Sequence, residues 1–144
     1  MTKVHGYRLC PLQSHWPRIS IDFMDTRRFR DLQVWQRSMT LARNVYAATE
    51  GFPKSELFGL SSQIRRAAVS VPSNIAEGRG RMTDKSFALF LSQARGSLYE
   101  LQTQVELAGD LGFVDKRQAE EIIAEAAATA SMIHALLATL RMSV

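Results

Sequence analysis

The chain has 144 residues and a hydrophobic content of 46%, which is enough for one domain with its own core. Its single cysteine, Cys10, excludes an internal disulfide, and no His/Cys cluster has the spacing of a zinc site. No run approaches the roughly 20 apolar residues of a membrane helix, so the composition fits a protein of the reducing cytoplasm.

The net charge of +4 is unevenly distributed along the sequence. Residues 1–23 carry three basic and one acidic residue, residues 24–82 carry ten and five, and residues 83–144 carry five and eight. The middle segment is therefore basic and the last one acidic. This distribution predicts a polarised surface whose basic part suits an anionic partner.

Residues 1–23 have no sustained period of 2 or 3.6 and are interpreted as an irregular N-terminal tail. Met24 stands directly before the first periodic segment. We therefore hypothesise that translation naturally starts at Met24, with a genuine N-terminal arm as the alternative. The predicted domain spans residues 24–144.

The first helix is predicted at about 29–49, where apolar residues recur at steps of three and four. The face predicted to enter the core consists of Leu32, Trp35, Met39, Ala42, Tyr46 and Thr49. A second row, Val34, Leu41 and Val45, predicts contact with a second neighbour or with an additional subunit. Gly51 and Pro53 end the helix.

The second helix is predicted at about 56–77, with Ser55 as its cap. Pro72 falls inside the pattern and predicts a kink or a local break near Ser70, because proline removes one backbone donor. Gly78 and Gly80 are expected to close this helix. Its buried face is predicted to consist of Leu57, Leu60, Ile64, Ala67, Ala68, Val71 and Ile75.

The third helix is predicted at about 84–111, with Thr83 as its cap and Gly112 as its end. Gly96 lies in the middle of this helix, where glycine costs about 1 kcal/mol relative to alanine. The close approach of a neighbouring backbone would compensate for this cost. The core-facing residues are Phe87, Leu91, Ala94, Leu98, Leu101, Val105 and Ala108.

The fourth helix is predicted at about 116–141, with Asp115 at its start and a stripe rich in alanine. Three short connections make successive helices antiparallel. The predicted fold class is therefore all-α, an antiparallel up-down-up-down four-helix bundle whose second helix is kinked near Pro72.

Catalytic groups are not predicted in this chain. His134 has no carboxylate or cysteine three or four residues away, and Glu-x-x-His pairs of di-iron bundles are absent from the sequence. The turn at Gly78 to Arg81 lacks the strand and the Lys-Ser/Thr pair of a nucleotide loop. The sequence thus predicts a protein that is not an enzyme and needs no cofactor or metal.

Residues 63–81 carry polar side chains where packing alone would not require them. In one interpretation they serve local shape: Ser70 and Ser73 stabilise the proline break, Asn74 caps the resumed turn, and Glu77 pairs with an arginine. In the other, arginines form a basic surface for phosphates, although Arg65 and Arg66 point about 100° apart on a helix. That surface would consist of Arg65, Arg66, Arg79, Arg81, Arg27, Arg28, Arg30, Arg37 and Arg43.

Four motifs carry a resemblance to a known family: Leu32-Gln33-Val34-Trp35, Gly51-Phe52-Pro53 with Glu56 and Leu60, the stretch from Gln63 to Gly78, and Ala94-x-Gly96-Ser97-Leu98-x-Glu100-Leu101. Over residues 29–142 the chain resembles the bacterial four-helix-bundle family of ribosomal RNA intervening-sequence proteins. The resemblance implies a ring-like homopentamer. The family is similar to the accessory variability protein of diversity-generating retroelements, which binds nucleic acid and a reverse transcriptase through its positive surface.

The resemblance also marks the family's characteristic positions without assigning their roles. They include Arg65, Arg66, Ser70, Asn74, Glu77 and Arg79, and we interpret Ser70, Pro72, Asn74, Glu77, Gly78 and Gly96 as a structural motif. The leading hypothesis is a non-enzymatic homo-oligomer that presents arginines from several subunits to structured RNA or DNA, alongside a protein such as a reverse transcriptase. The alternative is a protein-interaction scaffold that uses leftover apolar rows without binding nucleic acid directly.

We expect the protein isolated from its native source to begin at Met24, because the helical pattern starts directly after it. Intact-mass spectrometry measures the N-terminus. A product that begins at Met1 would contradict the hypothesis.

Overall fold

The computed structural model describes residues 29–142, so the predicted tail at 1–23 lies outside it. Four helices follow one another: α1 at Gln33–Thr49, α2 at Leu60–Gly80, α3 at Asp84–Asp110 and α4 at Lys116–Met142. A short 3-10 turn, Lys54–Glu56, precedes α2, and this part of the chain contains no strand. The all-helical fold class with four helices is confirmed.

The helices pack in a closed order, since α1 contacts α2, α2 contacts α3, α3 contacts α4 and α4 contacts α1. Each helix therefore has two neighbours, and a single core of buried apolar side chains runs between all four. The up-down-up-down order stays a prediction, which the short connections favour.

The predicted face of α1 enters the core only in part: Ala42 and Thr49 of that row are buried. The second predicted row, Val34, Leu41 and Val45, is buried throughout. In the predicted row, Trp35 and Met39 are only partly buried, and Tyr46 is 45% exposed. Both rows are apolar, so periodicity alone could not separate them. Because the branched row fills the interior, α1 carries two large aromatic side chains towards its outer side.

The start of α2 differs from the prediction because a different side chain caps it. Ser55 lies in the 3-10 turn, and Gly59 is the residue that precedes the helix. The backbone N–H of Leu60 donates a hydrogen bond to Glu56 Oε2 at 2.9 Å. A carboxylate thus caps α2 at Leu60, and the prediction of Ser55 as the cap is wrong.

Helix α2 continues without interruption through Pro72 to Gly80, so the predicted alternative of a local break near Ser70 is wrong. The kink stays a prediction. Three polar side chains beside the proline, those of Ser70, Ser73 and Asn74, donate to backbone carbonyl oxygens of the preceding turn at 2.8 Å each. Asn74 therefore bonds within a continuous helix instead of capping a resumed turn. These contacts explain the polar residues locally.

Two glycines do not have the roles that we predicted for them. Gly78 lies inside α2 and is buried, and a Cβ atom there would lie 2.5 Å from the Cβ of Phe90 in α3. Gly96 has no atom within 4 Å of the position that its Cβ would occupy. The close approach predicted at Gly96 within this chain is therefore wrong, and the glycine that permits helices to pack closely is Gly78.

The ends of α3 follow the prediction. Thr83 Oγ1 accepts a hydrogen bond from the backbone N–H of Ser86 at 3.1 Å, which confirms Thr83 as the cap. At the other end, Gly112 has a φ of +74°, a left-handed conformation that suits glycine at a helix terminus.

Helix α4 is long and apolar enough to cross a membrane over Lys116–Arg141, judged by length and composition alone. This corrects the expectation that no segment meets that criterion. Because its buried stripe, which includes Ile122 and Ile133, packs into the bundle core, the composition is also that of a core helix.

We expect Gly78→Ala to lower the free energy of unfolding by about 1–3 kcal/mol, because the added methyl group would collide with Phe90. Gly80→Ala is the matched control two residues further along α2, where a Cβ atom would meet nothing within 4 Å. It is expected to raise the stability by up to about 1 kcal/mol. Urea unfolding followed by circular dichroism at one protein concentration measures both. Equal stability of the two variants would contradict the packing described for Gly78.

Candidate nucleic-acid interface

Arginines fall into two groups in the described part of the chain, those paired with carboxylates and those that are not. Three pairs are formed, at 2.9 to 3.4 Å: Arg37 with Glu125, Arg81 with Glu77, and Arg117 with Glu121. The pairing predicted for Glu77 is thus confirmed. The arginines that have no carboxylate partner among residues 29–142 include Arg43, Arg65, Arg66 and Arg79.

Arg65 and Arg66 line one concavity of about 470 Å³ between the end of α1 and the start of α2. We call it the basic concavity, and its lining residues are Tyr46, Leu57, Ser62, Arg65, Arg66, Val69 and Ser70. Both arginines line it although their side chains diverge on the helix, because the concavity is broad and open. The structure thus brings together this pair of the predicted residues.

The Arg65 side chain is held in place by residues of α1. Its Nε donates a hydrogen bond to Thr49 Oγ1 at 2.7 Å, and its guanidinium carbon lies 4.7 Å from the centroid of the Tyr46 ring. The Thr49 hydroxyl itself donates to the carbonyl oxygen of Val45 at 2.9 Å. The two terminal nitrogens of Arg65 have no hydrogen-bond partner among residues 29–142. They therefore offer a fixed pair of donors of the kind that suits a phosphate.

Arg79 and Arg81 form a separate group at the other end of α2. The Arg79 guanidinium lies 5.8 Å from the ring centroid of Phe87, and that of Arg81 lies 5.4 Å from Phe90. With a rise of about 1.5 Å per residue, the 14 residues from Arg65 to Arg79 separate the two groups by about 20 Å. The predicted basic surface is therefore not one compact patch on the described chain.

Of the remaining predicted residues that the structure describes, Arg37 does not extend either group, whereas Arg30 and Arg43 line a neighbouring groove described below. Arg37 lies on the side of α1 that faces α4, where its Nε is 3.4 Å from Glu125 and its Nη1 is 3.8 Å from the sulfur of Met132. Its charge is thus partly compensated. Arg27 and Arg28 lie outside the described residues.

Sequence reasoning missed a larger groove between α1 and α2, with a volume of about 700 Å³. We call it the aromatic groove. Its apolar lining includes Phe29, Trp35, Met39, Tyr46, Val69 and Pro72, and its charged lining is Arg30, Arg43 and Glu50. The signal was present in the sequence as two apolar rows on α1, which together are wider than the part of the helix that the core buries.

His134, the histidine weighed for a catalytic role, lies exposed on α4, and its Nδ1 is 3.3 Å from Arg95 Nη1. Between Phe29 and Met142 no three His, Cys, Asp or Glu side chains lie close enough together to hold a metal ion. The chemistry visible on this surface is therefore that of guanidinium groups and aromatic rings.

Fold and surface together define an all-helical, four-helix protein whose most distinctive exposed groups are arginines and aromatic rings. A family model assigns it further: the 23S rRNA-intervening sequence protein family matches residues 30–135, and the chain belongs to that family. This confirms the resemblance deduced from the motifs. The similarity to the accessory variability protein stays a prediction.

A solved structure supports the fold. The chain is similar, with a TM-score of 0.65 and 20% sequence identity, to the 1.70 Å crystal structure of a protein with unknown function from the S23 ribosomal protein family of Bacteroides thetaiotaomicron. The match covers 72% of this chain and 97% of that one. No curated protein matches the chain. At this identity the likeness shows the shared fold alone.

Proposed function

We propose that this protein is a non-enzymatic, cytoplasmic homo-oligomer that binds structured RNA or DNA through the arginines of α2. The observation that carries the proposal is that Arg65, Arg66 and Arg79 have no carboxylate partner among residues 29–142. Guanidinium groups that are not neutralised internally are available to phosphates, which supply most of the affinity in nucleic-acid binding. Arg81 adds to the charge although it also pairs with Glu77.

Oligomerisation would compensate for the small number of these arginines. Each copy presents two groups about 20 Å apart, and linking several copies raises the effective concentration of every further contact. The family resemblance implies a five-fold ring, and such a ring would repeat both groups around its axis.

The outer side of α3 supports an interface between copies. Leu89 is 58% exposed and Leu107 is 48% exposed, and a rotation of about 100° per residue places both within about 20° of Gly96. Open space around Gly96 permits the backbone of another helix to approach closely. A neighbouring copy would thus provide the close approach that is missing within the chain.

A second candidate function is favoured by the aromatic groove. Trp35, Met39 and Tyr46 form an apolar row that the bundle leaves partly exposed, and a protein partner could bury it. In that case the protein would be an interaction scaffold without direct nucleic-acid binding, and a reverse transcriptase is one candidate partner. Co-purification from the native host, with and without nuclease, separates the two candidates.

We expect binding of a labelled RNA hairpin in a filter assay to weaken steeply as the salt concentration rises from 50 to 200 mM, as phosphate contacts require. Arg79→Ala combined with Arg81→Ala is expected to weaken binding and to make the slope of log affinity against log salt shallower by about 2. Arg117→Ala is the matched control, because Arg117 is an exposed arginine that also pairs with a glutamate four residues away. Binding that is absent or independent of salt would eliminate the proposal.

We expect light scattering to give a mass several times that of the monomer, 16.2 kDa. Gly96→Leu is expected to lower this mass, because the leucine side chain would fill the open space that a neighbouring copy would occupy. The melting temperature of the helices, followed by circular dichroism, should stay unchanged. Glu120→Leu on α4 is the control for added apolar surface. A monomeric wild-type protein would contradict oligomerisation, and an oligomer unaffected by Gly96→Leu would contradict the proposed face.

A further inference from the structure

Tyr46 stands between the two concavities of the α1–α2 face. Its side chain lines both the basic concavity and the aromatic groove, and Val69 is the other residue that they share. One side of this boundary carries Arg65 and Arg66, and the other carries Trp35. A ligand that lies across Tyr46 would therefore meet guanidinium groups at one end and aromatic rings at the other.

The charges around the two concavities favour an anionic ligand. Arg30 and Arg43 line the aromatic groove, and Arg65 and Arg66 line the basic concavity, against one carboxylate, that of Glu50. An anion is attracted to such a surface. The occupant that fits combines a negative charge with a flat apolar group.

The geometry of Arg65 makes this fit more specific. Thr49 holds the Nε atom of Arg65, and the Tyr46 ring covers one face of its guanidinium group. The two terminal nitrogens can therefore donate hydrogen bonds to an external acceptor. A phosphate accepts such a pair of parallel hydrogen bonds. A base attached to that phosphate would lie beyond Tyr46, in the groove that Trp35 lines.

We propose that the α1–α2 face binds an unpaired stretch of nucleic acid, with a phosphate on Arg65 and Arg66 and a base in the aromatic groove against Tyr46 and Trp35. The inference rests on the proposed nucleic-acid function and specifies the form of the strand. In a duplex the faces of the bases are covered by their neighbours, so only an unpaired base can stack on an aromatic side chain.

The test compares the affinity of the full chain for a labelled 12-nucleotide oligouridine and for a 12-base-pair RNA duplex, by fluorescence anisotropy. Tyr46→Leu removes the ring but keeps apolar volume, and it is expected to weaken oligouridine binding by about 5- to 100-fold with little effect on the duplex. Tyr46→Phe keeps the ring and should retain the affinity. Tyr99→Leu makes the same change at an exposed tyrosine of α3 and serves as the control.

A second measurement does not depend on a variant of Tyr46. In a Trp16→Phe chain, Trp35 is the single tryptophan, and its emission is expected to be quenched by oligouridine but not by the duplex. Unchanged emission on saturation with oligouridine would overturn the inference.

Other outcomes separate this inference from the proposed function. The inference alone is overturned if the protein binds the hairpin but does not bind oligouridine, or if Tyr46→Leu leaves oligouridine binding unchanged. Both proposals are overturned if the wild-type protein binds no nucleic acid. A lower light-scattering mass for Tyr46→Leu with unchanged strand binding would assign the groove to a second copy. If Tyr46→Leu makes residues 1–28 more rapidly cleaved by a protease and leaves oligouridine binding unchanged, the aromatic groove would be assigned to the chain's own N-terminal segment.

Discussion

Helix α1 carries two apolar rows, and the core buries the whole of one but only Ala42 and Thr49 of the other. The row that enters consists of smaller or branched side chains, including Leu41 and Val45, which fill the space between α2 and α4. Trp35, Met39 and Tyr46 are then directed towards the outer side, where the bundle buries them only in part. The aromatic groove and the fixed position of Arg65 both follow from this orientation, because Tyr46 and Thr49 belong to the same helix that sets it.

The motif around Pro72 divides into two kinds of residue. The side chains of Ser70, Ser73 and Asn74 donate hydrogen bonds to carbonyl oxygens of their own helix. These polar groups therefore stabilise α2 around the proline. The arginines of the same stretch use fewer of their donors internally: Arg81 pairs with Glu77, and Arg65 donates only its Nε, to Thr49. Local shape and ligand binding, the two interpretations of this stretch, therefore apply to different side chains and do not compete.

Sequence reasoning succeeded where one physical rule acted without competition. The apolar spacing in α3 and α4 identified their buried faces, and the cap at Thr83 and the left-handed end at Gly112 follow from local backbone chemistry. It failed where two rules competed. Two equally apolar rows left the rotation of α1 undetermined. The sequence also could not distinguish Gly78, which packs against Phe90 of α3, from Gly96, which faces open space, because this difference depends on how α3 lies against α2. The candidate site was predicted in part, since Arg65 and Arg66 do share a concavity, whereas the groove depends on the rotation of α1.

Burial explains why the exposed aromatic rings and the unpaired arginines occur together. An arginine beside Tyr46 keeps its charge in water while its plane covers part of an apolar ring, so each group lowers the cost of exposing the other. Arg79 and Arg81 also lie beside rings, but the ring of Phe87 is buried and that of Phe90 is partly buried, and Arg81 pairs with Glu77 as well. A carboxylate partner compensates part of the charge, as Glu77 does for Arg81, whereas a ring leaves the hydrogen-bond donors at the guanidinium edge accessible. At each end of α2 one arginine, Arg65 or Arg79, thus lies beside a ring, and its terminal nitrogens have no hydrogen-bond partner among residues 29–142.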